Sequence, residues 1–186
     1  MKKRILSLAL SAAMALTMLP TGAFAAGDKG KPPVYNKATG CYEISTPDQL
    51  LYLSGSWRDG APRDGHYVLT ADIDMTGVKG FKPIASKKDQ GFTGTFDGQF
   101  HAIKGLRVEY EKKYAGLFGY VGNQDDQAYI KDVALLDCYV TGQQNVGALA
   151  GVNYGTITGC VVTGEVKCLD LSNSHTAGGI CGKLKE

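Results

Sequence analysis

Two short patterns recur along this chain at nearly fixed spacing, and that spacing restricts the fold more than any other feature. The first, small-small-aliphatic-x-Gly, occurs as "AGLFG" at 115–119, "GALAG" at 147–151 and "GGICG" at 178–182, with offsets of 32 and 31 residues. The second, Ile-x-x-apolar-x-apolar, occurs as "IKGLRV" from Ile103, "IKDVAL" from Ile130 and "ITGCVV" from Ile157, with offsets of 27 and 27. Between them the gaps vary, through "NQDDQ" in one interval and "CLDLSNSHT" in a later one. Constant cores separated by variable polar connections mark a stacked repeat whose insertions fall in loops.

The repeated cores read as strands. Glycine and β-branched residues in segments of four to six make poor helices and good short strands. The spacing of Gly147, Gly151 and Gly155 in "GALAGVNYG" suggests two other structures, and both fail. A transmembrane glycine zipper needs about 20 apolar residues, and Asn153, Thr156 and Thr158 interrupt this stretch. A phosphate loop needs Gly-Lys followed by Ser or Thr, and a dinucleotide fingerprint needs a helix directly after its glycines. The glycines instead bracket Leu149 and serve the turn toward Ile157.

A period near 30 residues made of short strands indicates a solenoid in which each turn of chain adds one rung of parallel strands. No rung can bury its apolar face alone, so stability comes from stacking. The expected inward ladders are Ile103 on Ile130 on Ile157, Leu106 on Val133 on Cys160, Val108 on Leu135 on Val162, and Leu117 on Leu149 on Ile180.

In "AGLFGYV", "GALAGVNYGTITGCVV" and "GGICG" the chain resembles the GLUG-type repeats of bacterial surface proteins. Upstream, "YEISTPDQLLYLS", "HYVLTADIDMTG" and "FTGTFDGQFHAIKGL" are similar to the segment that precedes such repeats. The resemblance covers roughly 42–182 and implies an all-β, right-handed parallel β-helix. It implies little about activity, because such repeats occur in adhesin-like and wall-associated proteins and beside the catalytic domains of immunoglobulin-A-protease-like enzymes. Phe100 departs from the pattern, which has a small residue after the Asp97-Gly98 turn.

The first rung of a solenoid must be covered. In "TPDQLLYLS", Thr46 is placed to cap a helix over about 47–54, with Pro47 at its first position and Gln49 completing a capping box. Leu50 and Leu53 then face one side, as a lid or as an ordinary surface helix. "YVLTADIDM" alternates with period two, sending Leu69, Ala71, Ile73 and Met75 one way and Thr70, Asp72 and Asp74 the other. Phe92 and Phe96 share a face of the next strand.

Residues 1–25 read as a secretory signal peptide: a Lys2-Lys3-Arg4 cluster, an apolar run from Ile5 to Leu19, and a small-x-small end at Ala23-Phe24-Ala25. The competing reading is an uncleaved membrane anchor. This segment holds three cations and no acid, so the formal charge of +2 becomes −1 without it, and overall basicity gives no argument for nucleic acid or anionic membranes. All five cysteines, Cys41, Cys138, Cys160, Cys168 and Cys181, lie beyond it. Their odd number leaves at least one thiol unpaired in a monomer, and their spacing fits small buried hydrophobes better than a cystine framework or a zinc site.

The organisation expected is therefore a signal peptide at 1–25, a flexible segment at 26–40, an N-terminal cap and first coils at 41–102, and GLUG-like repeats at 103–186. The last repeat ends without a cover, the mark of a truncated member of a longer family or of a chain that caps itself by association. For catalysis, the lateral carboxylates Asp72, Asp74 and Asp97 with Arg107 or Lys131 as a cation would suit a β-helix polysaccharide lyase or glycoside hydrolase, and Asp72 with Asp74 could hold calcium. Each is more economically a solvated strand or turn residue. His66, His101 and His175 form no metallopeptidase motif, no nucleophile elbow occurs, and nothing selects one cysteine as a nucleophile. The expectation is a noncatalytic module, secreted or at the cell surface, with no catalytic, cofactor or metal residues, no cofactor, no nucleic-acid partner and no membrane span once the signal is removed. It would bind an extracellular glycan, a host protein or the cell wall, with Tyr110, Tyr114, Tyr120, Tyr129, Tyr139 and Tyr154 available to line the face. The alternatives are a carbohydrate-active enzyme or a fragment of a larger surface protein or protease.

Overall fold

The computed structural model describes residues 30–55, 61–170 and 176–185. The signal-peptide reading of 1–25 and His175 lie outside them. Within them the chain winds as a parallel β-solenoid. After the hairpin β1 (Val34–Asn36) and β2 (Cys41–Ile44) and the helix α1 (Pro47–Leu53), the first coil contains β3 (His66–Leu69) and β4 (Ile73–Asp74). The second contains β5 (Thr95–Asp97), β6 (Ala102–Lys104), β7 (Arg107–Ala115) and β8 (Phe118–Val121). The third contains β9 (Tyr129–Lys131), β10 (Ala134–Gly147) and β11 (Ala150–Asn153), and the fourth β12 (Thr156–Thr158), β13 (Val161–Cys168), β14 (Ala177–Gly178) and β15 (Cys181–Leu184).

Three sheets run along the axis. The first is ordered β1-β2-β3-β5-β9-β12, the second carries β4, β6, β10 and β13 with β7 and β14 also on β10, and the third is β8-β11-β15. Every pair is parallel except β1 with β2. The parallel order follows from the winding, since each strand meets its counterpart one full coil later. The core is the interior of this winding, filled by Leu69, Phe96, Ile103, Phe118, Ile130, Leu135 and Leu149, all inaccessible to solvent.

Register bears out part of the expected stacking and corrects the rest. Ile157 pairs with Ile130, and Leu135 pairs with Val162. Phe118 pairs with Ala150 and Ala150 with Cys181, so Leu117, Leu149 and Ile180, one residue earlier, stack as expected. Ile103, however, pairs with Ile73 and Leu135 in the second sheet, while Ile130 pairs with Phe96 in the first. Val108 likewise pairs with Val140, not Leu135. "IKGLRV" and "IKDVAL" thus occupy different faces of successive coils. The 27-residue offset holds between the third and fourth coils, but the polar insert before Tyr129 lengthens the second coil, whose offset is 32 from Ile103 to Leu135. Leu149 does point into the core, from the bend between β10 and β11 and not from a strand. A Cβ on Gly147 would strike the Ala150 carbonyl and the backbone of Gly182, which explains why the corner requires glycine.

The N-terminal end is covered as its sequence predicts. Helix α1 has Thr46 as N-cap with the full capping box, Thr46 and Gln49 bonding reciprocally, and buries Leu50, Leu51 and Leu53. Within the 26–40 segment, Val34–Asn36 pair antiparallel with β2, and Asn36 Nδ2 donates to Glu43 at 2.7 Å. Among the described residues nothing comparable to α1 lies over the last coil. Ile180 is 43% exposed, and Ile157, Cys160, Val162 and Val166 are only half-buried although their counterparts one coil below are fully buried. All five cysteines are free; Cys138 is buried, the other four half-buried.

Candidate functional site

Strand β7 is where the flank of the solenoid opens. Its sequence, "RVEYEKKYA", sends Val108 into the core and leaves Arg107, Glu109, Glu111, Lys112 and Lys113 exposed. Tyr110 pairs with Gly142 and Lys113 with Gln144, so β7 carries one residue more than β10 over this interval. That extra residue is a β-bulge, which locally disrupts the ladder and turns side chains away from the sheet. One step later Tyr114 adopts a left-handed backbone, φ 66°, at the corner into β8. Left-handed geometry in a bulky residue costs about 1–2 kcal/mol and persists only where surrounding structure fixes it.

Facing this strand are the ends of two upstream connections. Ser54 caps the C-terminal side of α1, and its Oγ accepts from the Lys82 backbone N–H at 2.7 Å, fixing the two connections to each other. Ala85, also left-handed with φ 54°, is held through its carbonyl by the Tyr120 N–H. It sets Ser86 and Lys87 at the rim. Between these walls lies an open cleft of about 1170 Å³, with Tyr110, Tyr114 and Tyr139 among its lining residues and Leu169 at one border. A smaller hollow of about 360 Å³, lined by Lys79, Phe81 and Arg107, adjoins it across the shared Glu109.

The cleft concentrates cations around phenol rings. Lys82, Lys87, Lys112 and Lys113 line it, against Glu109 and Glu111. Arg107 Nη2 donates to Glu109 at 2.8 Å, which holds the Glu109 carboxyl below the usual carboxylate range. The same guanidinium lies 4.2 Å from the centre of the Tyr139 ring, with Lys167 Nζ at 5.3 Å. Tyr114 meets Tyr120 edge-on at 5.2 Å, and Tyr120 continues to Tyr154 at 5.7 Å. Burial, with the hydrogen bond to Tyr154, raises the Tyr120 phenol far above its ordinary value, so this tyrosine stays neutral.

Of the residues singled out from sequence for catalysis, Asp97 and Lys131 meet as an ion pair, and the others make separate contacts. Asp72 accepts from the Ala102 N–H at 2.9 Å and from His101 Nδ1 at 3.1 Å, whereas Asp74 accepts from the Thr76 N–H at 2.9 Å. These are links within turns and between coils, and both carboxyls sit below their ordinary value, Asp72 chiefly through the Ala102 N–H and Asp74 chiefly through the Thr76 side chain. Asp97 accepts from the Gln99 N–H at 2.9 Å and pairs with Lys131 at 2.7 Å on the first sheet. Among the described residues no group of three or more His, Cys, Asp or Glu side chains could hold a metal ion. Burial pushes the thiols of Cys138, Cys160 and Cys181 up, away from nucleophilic character. Of the six tyrosines, Tyr110, Tyr114 and Tyr139 meet in the cleft, Tyr120 and Tyr154 back it, and Tyr129 stands on the first sheet. The four lysines escaped sequence reasoning. For Lys112 and Lys113 the local signal was the run "EYEKKY", in which one strand carries two tyrosines about a Lys-Lys pair.

No family model matches the chain. In sequence it is similar to Halomucin of Haloquadratum walsbyi, 32% identical over 151 residues that make up 76% of this chain and 2% of that protein. It is also similar to a protein of Evansella cellulosilytica provisionally named a Gly-rich membrane protein, 33% identical over 101 residues, half of this chain and 11% of the other. The chain therefore spans a small fraction of the length of these curated relatives. Among solved structures it is similar to a Bacteroides ovatus protein provisionally described as an immunoglobulin A1 protease, with a TM-score of 0.42 and 18% identity over 78% of this chain and 62% of that one. Among the described residues no helix is long and apolar enough to cross a membrane.

Proposed function

We propose that this chain is a noncatalytic module of the cell exterior that binds an extended glycan along the flank of its solenoid. The observation that carries the reading is the cleft itself: an open trough with three tyrosines, walled by a bulged strand and two fixed connections, on a scaffold of stacked coils. Tyrosine suits sugar rings because it offers a broad apolar face and a polar tip at little cost in side-chain entropy. The names of the two sequence relatives support a surface location. Secretion through the 1–25 segment, membership of the GLUG-type repeats and an adhesin-like role belong to the same proposal.

One observation favours a second reading. Glu109 and Glu111 both line the cleft, and a pair of carboxylates beside tyrosines is the equipment of a glycoside hydrolase or lyase. A general acid needs a raised pKa, however, and Arg107 moves Glu109 the other way. A glycan array combined with reducing-end and unsaturated-product assays separates the two. The binding reading expects retention without product, lost in Tyr139→Ala. Product formation abolished by Glu109→Gln or Glu111→Gln would replace it with the enzyme, and silence in every assay would remove both.

A further inference from the structure

The distribution of charge around the cleft narrows the ligand, if the trough is the binding site read above. Elsewhere three of the strand lysines are matched, Lys131 with Asp97 at 2.7 Å, Lys167 with Glu165 at 2.7 Å, and Lys104 with Asp137 at 4.0 Å, while Lys183 on β15 has no ion-pair partner among the described residues. Lys82, Lys87, Lys112 and Lys113 make no ion pair among the described residues, although all four border one trough. Glu109 does not neutralise them, because Arg107 already holds it. Only Glu111 is left to oppose four cations, in a chain whose charge beyond residue 25 is −1. Basicity here is a property of the cleft and not of the protein.

We propose that the cleft is a site for an acidic polysaccharide, whose carboxylate or sulfate groups meet Lys82, Lys87, Lys112 and Lys113 while its sugar rings lie against Tyr110 and Tyr139. The two pairs of lysines come from different parts of the lining, Lys82 and Lys87 from the connection between β4 and β5 and Lys112 and Lys113 from β7. A chain bearing a negative group on successive sugars can therefore be held at more than one point along the trough. Lysine supplies mobile point charges without the fixed fork that arginine offers a phosphate, and this suits anions whose positions vary along a polymer. The bulge serves the same end, since it adds a residue to β7 where Lys112 and Lys113 reach the trough. The volume, about 1170 Å³, exceeds that of an ordinary small-molecule pocket, and the adjoining hollow adds Lys79 to the cationic track.

The test is binding of the full chain to immobilised polygalacturonate, heparin, dextran and single-stranded DNA over a series of salt concentrations. Retention by polygalacturonate or heparin and not by dextran is expected, and retention by polygalacturonate, which carries carboxylates alone, shows that sulfate is not required. The double variants Lys112→Gln/Lys113→Gln and Lys82→Gln/Lys87→Gln, all at surface side chains, should each weaken binding about tenfold and flatten its salt dependence. Tyr139→Ala should weaken binding at every salt concentration alike. Dextran retained as well as the acidic polymers, or lysine variants that bind unchanged, would overturn the acidic specificity while leaving a glycan-binding cleft. Tighter retention by DNA would overturn it in favour of a general polyanion site. Failure of all four polymers would remove the binding reading itself, and shortening of polygalacturonate would keep the acidic ligand but overturn the noncatalytic role.

Discussion

Phe100 is held where an aromatic side chain is least suited. Both Gln99 and Phe100 have left-handed backbones, φ 47° and 64°, in the turn that Asp97 closes by accepting from the Gln99 N–H. Phe100 is also 81% exposed, so no burial offsets the strain. Phe100→Gly should therefore raise stability by about 0.5–1 kcal/mol, relief of strain exceeding the extra freedom that glycine gives the unfolded chain. Thermal unfolding measures it, and a lower midpoint would contradict the assignment. Asp72 gives a residue-scale prediction about pH. Its carboxyl lies below the ordinary range, chiefly through the Ala102 N–H and then through His101. The folded state therefore releases this proton more readily than the unfolded chain. The stabilisation is complete above about pH 4 and disappears as pH falls through the folded value. Asp72→Asn should be less stable than the parent at pH 6, with the difference shrinking toward pH 3 in parallel melts.

The strands show how a ladder position sets the cost of losing a side chain. Ile130 sits between Phe96 and Ile157 with no exposed surface, whereas Ile157 has a neighbour on one side only and is half-buried. Ile130→Ala should cost about 3 kcal/mol and Ile157→Ala about 1, read from denaturant midpoints. Equal costs would mean that the last coil is as enclosed as the third. Much of this architecture was legible in the sequence, because glycine corners and inward aliphatics repeat wherever a coil has the same length. The capping box of α1 was legible for a similar reason: Thr46, Pro47 and Gln49 carry their geometry within four residues. The misassigned partner of Ile103 shows the limit. Two faces of one solenoid present the same apolar spacing, and only the length of the intervening loop decides which stacks on which. The cleft was half visible. Its tyrosines were noticed as a class, but Lys82 and Lys87 reach it from connections that no repeat marks, and the bulge that places Lys112 and Lys113 exists only in the pairing of β7 with β10.

At the scale of the molecule the two ends of the solenoid are unlike. At the last coil, β12, β13 and β15 each end a sheet, and Ile180 and Val162 lie against hollows open to solvent. At the first coil, by contrast, α1 lies across the core and β1 turns back antiparallel against β2. That reversal makes the hairpin a chain stopper in the polymer chemist's sense. The outer edge of β1 therefore continues no coil, and the winding has a single direction of growth, from α1 toward β15.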